Sequence, residues 1–129
     1  MIKNLSHISF FTNSLSKIKK FYVKKLQLKI IHEFKNKKNQ SYGYFLSANN
    51  NTFLEFFLTK KKINFLNTKN QFRHICFEVQ NIKKFKNKFK KNNSTKITRG
   101  KTDNILQFFV YDLEGNIIEF HQRDYKSKF

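Results

Sequence analysis

SHISF at residues 6–10 returns as RHICF at residues 73–77, and this return decides how the chain is read. His7 and His74 set an offset of 67 residues. Carried forward, the same offset places Leu15, Ile18 and Tyr22 on Ile82, Phe85 and Phe89. Both halves thus show the three-then-four spacing of one apolar helical face. Ser14 and Asn81 correspond at that offset too, and each has a short side-chain oxygen suited to accept from the free amides of a helix's first turn. Further on, FLEFF at 53–57 resembles IIEFH at 117–121, which aligns Glu55 with Glu119 at an offset of 64.

The pattern predicts strand, helix and three strands twice: about 4–11, 14–26, 28–34, 41–47 and 52–58, then about 72–79, 81–92, 95–98, 105–111 and 116–121. The expected fold class is α+β, two βαβββ repeats forming a curved sheet. Asn49-Asn50-Asn51 and Asp112-Leu113-Glu114-Gly115-Asn116 read as turns before the last strands. Module 1 takes about 1–58, a polar linker 59–71, module 2 about 72–123 and a short tail 124–129, within a single domain.

Composition limits the function classes. The chain has 129 residues, 39% of them hydrophobic, with 17 Phe, enough apolar surface for a core. No run reaches the roughly 18 apolar residues of a bilayer span, and the N-terminus lacks a secretory pattern, so a soluble, cytoplasmic protein with no membrane partner is expected. Cys76, the single cysteine, excludes an internal disulfide and a cysteine-rich zinc site. The net charge of +19 invites a nucleic-acid reading. However, the excess is lysine, spread along the chain, and the arginines suited to bidentate contacts are Arg73, Arg99 and Arg123 alone. A solvated lysine surface, with no specific nucleic-acid partner, is the expectation.

Each half has one histidine in its first strand and one glutamate in its last: His7, Glu55, His74 and Glu119. With only 8 acidic residues in the chain, a glutamate within an apolar strand in both halves needs a partner or a cation. Two imidazoles and two carboxylates make a mixed nitrogen and oxygen donor set for one divalent metal ion per site, with room for water. Ni, Co, Mn, Fe and Zn all accept such donors. His32, beside Glu33, reads as a surface residue and Cys76 as a small core residue. Strand alternation places Phe11 with His7, Phe53 and Phe57 with Glu55, His121 with Glu119, and Gln107 and Phe109 on one face of a neighbouring strand. These six are the candidate pocket lining for a small-molecule substrate. Arg99 and Lys101, in the loop before Gln107, read equally as binders of an anionic group or as a solvated loop.

Three segments resemble the vicinal oxygen chelate superfamily, in particular its glyoxalase I-like branch. HISFFTNSLSKIKKFYVKKLQLK resembles the opening strand, helix and "L-G-L" turn, with Gln27 for the glycine, and RHICFEVQNI resembles the second opening strand. QFFVYDLEGNIIEFHQ resembles the closing Asp-Pro-x-Gly-Asn pattern and its strand glutamate, with Leu113 for the proline. The resemblance implies paired modules closing around a metal, commonly in a homodimer. It also implies a metal-dependent lyase or isomerase that acts on a small vicinal-oxygen substrate through an enediolate, with Glu119 as the catalytic base. Bacterial glyoxalase I enzymes hold glutathione with an arginine four residues after the first histidine and an asparagine four after the first glutamate. Here these are Phe11 and Thr59, so glutathione dependence is not implied.

Alternatives within the superfamily are a ring-cleaving dioxygenase, which the apolar lining would suit, and a non-catalytic small-ligand-binding protein. Retention of all four ligand-type residues counts against the latter.

Overall fold

The computed structural model describes residues 1–49, 51–63 and 72–129. Turn residue Asn50 and linker residues 64–71 lie outside the described residues. The chain divides into two compact units, Met1–Asn64 and Phe65–Phe129. The first contains β1 (His7–Thr12), α1 (Leu15–Ile18), β2 (Lys29–Lys35), β3 (Ser41–Asn49) and β4 (Thr52–Leu58). The second contains β5 (Ile75–Glu78), α2 (Ile82–Lys86), β6 (Thr98–Arg99), β7 (Leu106–Tyr111) and β8 (Ile117–Gln122).

Each unit builds one four-stranded mixed sheet, and the two orders, β1-β4-β3-β2 and β5-β8-β7-β6, are the same topology. First and last strands pair in parallel and the rest antiparallel. The repeat extends to register: Ser9 faces Glu55 as Cys76 faces Glu119, and Phe45 faces Glu55 as Phe109 faces Glu119. The α+β architecture of two βαβββ repeats is therefore present.

Alternation assigns the two faces of each sheet different work. In the first unit Tyr44, Leu46, Leu54 and Phe56 are buried with Ile18, Phe21 and Tyr22 of the helical segment. Tyr22 packs on Phe56 with ring centroids 4.8 Å apart. In the second unit Phe85 and Phe89 pack on Phe120 at 4.8 and 5.6 Å, and Phe108 lies 5.2 Å from Phe120. Aromatic rings thus take the place of a longer helix in filling the core. The opposite face of each sheet carries the ligand-type residues.

Both N-caps form: Ser14 Oγ accepts from the Lys17 amide at 3.3 Å and Asn81 Oδ1 from the Lys84 amide at 2.9 Å. The helices depart from the predicted spans. After Ile18 the chain winds more widely over Lys19–Lys25, ending where the Leu26 amide donates to the Phe21 carbonyl five residues back. The wider turn brings adjacent Phe21 and Tyr22 both into the core. The second helix stops at Lys86 rather than 92, followed by a 3₁₀ turn over Lys91–Asn93. The strand expected at 95–98 is reduced to Thr98–Arg99, because Thr95 bonds Phe109 partly through its hydroxyl, which accepts the Phe109 amide at 2.9 Å. No helix among the described residues is long and apolar enough to cross a membrane.

Candidate functional site

In the first unit, His7 opens β1 and Glu55 sits mid-strand on adjacent β4, with His7 Nε2 and Glu55 Oε2 3.9 Å apart. The Ser6 hydroxyl lies 3.4 Å from His7 Nδ1, which leaves Nε2 as the nitrogen presented to the carboxylate. The imidazole stands edge-on to Phe45, with centroids 5.8 Å apart. Phe45 stacks in turn on Phe53 at 4.8 Å, and Phe57 packs against Phe34 at 5.1 Å. Phe53 and Phe57 accordingly share the Glu55 face, as expected, and Phe11 lies on the same side of β1, 70% exposed.

The second unit repeats this arrangement more tightly. His74, one residue ahead of β5, brings Nε2 to 2.9 Å from Glu119 Oε2, and its ring stands edge-on to Phe109 at 5.9 Å. Glu119 is buried, at 7% exposure. His121 Nδ1 lies 3.9 Å from the other Glu119 oxygen. Gln107 faces His121 across the β7–β8 ladder. A cleft of about 1110 Å³ opens on this face, lined among others by Arg73, His74, Gln107, Phe109, Tyr111 and Glu119.

The closing turn positions Glu119. Asp112 Oδ1 accepts the Glu114 and Asn116 amides, both at 2.9 Å, while Asp112 Oδ2 accepts from Asn116 Nδ2 at 2.8 Å. Gly115 takes φ 83°, a left-handed angle that side chains disfavour. This fixed turn sets the register in which Glu119 faces Phe109 and Cys76.

The donors fit a divalent cation. In a chain with 27 Lys and Arg, the described residues making ion-pair contact with buried Glu119 are two imidazoles, and none is a lysine or arginine. Imidazole nitrogens and a buried carboxylate oxygen together are donors that a divalent cation accepts.

Two sequence readings are corrected. Cys76 is not a core residue but an accessible thiol facing Glu119, pushed up to about 12 by desolvation and then by the Glu119 charge and hydrogen bond. His32 is exposed, as the sequence suggests, and it pairs in register with Phe45 and packs edge-on to Phe34 at 4.9 Å. Arg99 is occupied in structure: it donates to Asp124 at 3.1 and 2.6 Å and to the Asn104 carbonyl at 2.8 Å. Glu78, further along the Cys76 face, pairs with Arg123 at 2.6 Å, which holds its carboxyl below the usual range. Phe45 was legible but missed: the 64-residue offset that aligns the glutamates maps it onto Phe109.

No curated protein matches the sequence. Among solved structures the chain is similar to SMU.1112c, at 19% identity and TM-score 0.78, covering 94% of this chain and 99% of that one. It is similar to a glyoxalase family protein from Enterococcus faecalis at 21% identity and TM-score 0.75, covering 92% and 97%. It is also similar to the fosfomycin resistance protein FosX from Listeria monocytogenes at 15% identity and TM-score 0.70, covering 100% of both. At these identities the likeness is one of fold. The family model of the Glyoxalase/Bleomycin resistance protein/Dioxygenase superfamily matches residues 4–120, spanning both repeats, and the chain belongs to that superfamily.

Proposed function

We propose that the chain is a metal-dependent lyase or isomerase of the glyoxalase type, acting on a small substrate with oxygens on adjacent carbons. The observation that supports this most is the duplicated imidazole–carboxylate pair, His7 with Glu55 and His74 with Glu119, each set edge-on against a phenylalanine. These four residues are the proposed ligand set of one divalent ion per site. When bound, the ion supplies Lewis-acid polarisation of the two substrate oxygens and offsets negative charge developing there. Glu119 is the proposed base, taking a proton from one carbon and returning it to its neighbour. Its burial keeps competing water away from that transfer. Gln107 and Phe109 orient the substrate, and the aromatic face of Phe11, Phe53 and Phe57 keeps water from the reacting carbons.

A ring-cleaving dioxygenase is the second reading, favoured by the stacked Phe45 and Phe53 rings, which suit a planar aromatic substrate. A homodimer is the proposed working unit, supported by exposed Phe11, Leu58, Phe72 and Tyr111.

The test is turnover of hemithioacetals formed from a small 2-oxoaldehyde and a panel of thiols, after loading with each candidate divalent metal. Glu119→Gln is expected to abolish turnover and weaken metal binding, while Lys60→Gln does neither. Equal activity in all three proteins contradicts the assignment, and oxygen uptake on catechols with Fe²⁺ would move it to the dioxygenase reading.

A further inference from the structure

The second unit carries donors that its repeat mate lacks. Cys76 stands where the first unit has Ser9, and His121 where it has Phe57, so a sulfur and a ring nitrogen flank Glu119 at positions that flank Glu55 with a hydroxyl and a phenyl ring. Register places Cys76 directly opposite Glu119, with His121 two residues further along the same face of β8. The Cys76 sulfur, a Glu119 oxygen and a His121 nitrogen all lie within 4.8 Å of one another.

From this geometry we propose that Cys76, Glu119 and His121 form a metal site of their own, selective for a thiophilic divalent ion such as Zn²⁺, Co²⁺ or Cd²⁺. Donors about 2.0–2.3 Å from a tetrahedral ion stand roughly 3.3–3.8 Å apart, so side-chain rotation by about an ångström closes the set. Sulfur, nitrogen and oxygen donors in one triad favour these ions over Mg²⁺ or Mn²⁺, which prefer all-oxygen ligation. As the sulfur–metal bond forms, the thiol proton passes to solvent, and water completes the coordination. Arg123 lies 3.5 Å from His121 Nε2 and is held by Glu78 at 2.6 Å, so His121 keeps Nδ1 turned toward Glu119. The site shares Glu119 with the four-ligand centre proposed above but requires neither His7 nor Glu55. An ion seated there would compete with that centre for its buried carboxylate.

The test is titration of the full-length, metal-free protein with CoCl₂, read by absorption spectroscopy with circular dichroism as the folding control. A thiolate-to-cobalt charge-transfer band in the near ultraviolet is expected. It should persist in a His7→Gln, Glu55→Gln double variant and disappear in Cys76→Ser, with His121→Asn weakening Co²⁺ binding. Stoichiometric cobalt in the unaltered protein without a thiolate band overturns the proposal, while leaving the four-ligand reading standing. Loss of the band in the His7→Gln, Glu55→Gln variant also overturns it, since the second unit then does not hold the ion by itself. If no cobalt binds, both readings fail.

Discussion

Gln27 holds a backbone angle of φ 63°, at the place where the family's turn has glycine. A left-handed residue with a Cβ costs roughly 1–2 kcal/mol relative to the usual helical region, a penalty glycine avoids, partly offset by glycine's freedom in the unfolded chain. Gln27→Gly is therefore expected to raise stability by up to about 1 kcal/mol in urea denaturation. A decrease would mean that the exposed glutamine side chain contributes something the backbone argument misses. The pairing of His7 with Glu55 and of His74 with Glu119, the proposed ligands, was legible because a duplicated chain repeats its chemistry at a fixed offset. Cys76 was not, since a lone cysteine in an apolar strand reads as core until the register puts Glu119 opposite it.

At the scale of elements, the closing turn and the C-terminal tail both bear on the cleft. Asp112 accepts three hydrogen bonds, each worth about 1 kcal/mol net, so Asp112→Ala is expected to cost roughly 2–4 kcal/mol. It should also loosen the β7–β8 register that places Glu119; thermal unfolding and amide exchange on β8 read both effects. The tail is fastened differently. Arg99 pairs with Asp124, Asn104 Nδ2 donates to the Lys126 carbonyl at 2.9 Å, and the Lys128 amide donates to the Asp103 carbonyl at 2.8 Å. Thr102 and Asp103 rim the cleft, so the tail steadies that rim. The Arg99 guanidinium holds the Asp124 carboxyl at about 2, below its ordinary 3.8. A carboxyl lowered on folding stabilises the fold above its unfolded value, and this contribution fades as pH falls through the folded one. Exchange protection of the Lys128 amide should therefore be unchanged from pH 7 to about 4 and lost toward pH 2. Protection lost near pH 5 would contradict the clamp. The strands and caps were legible from sequence, whereas the early end of α2 and the shortening of β6 were not. The second depends on a threonine hydroxyl standing in for a ladder bond.

At the scale of the whole molecule, the +19 charge and the chemistry are separable. Most lysines among the described residues are exposed, while the ion-pair partners of Glu55 and Glu119 among the described residues are histidines. Duplication explains the economy of the design: one βαβββ plan, used twice, supplies two imidazole–carboxylate pairs on sheets of identical order and register. The second copy then diverges in its site, with a shorter His74–Glu119 separation, a thiol and an additional imidazole. The central claim is that the duplicated pairs bind metal. Elemental analysis of the purified, untagged protein tests it most directly, repeated at matched concentration on a His7→Ala, Glu119→Ala double variant. Near-stoichiometric divalent metal, lost in the variant, is the predicted result; no metal in either protein, even after reconstitution, would contradict it.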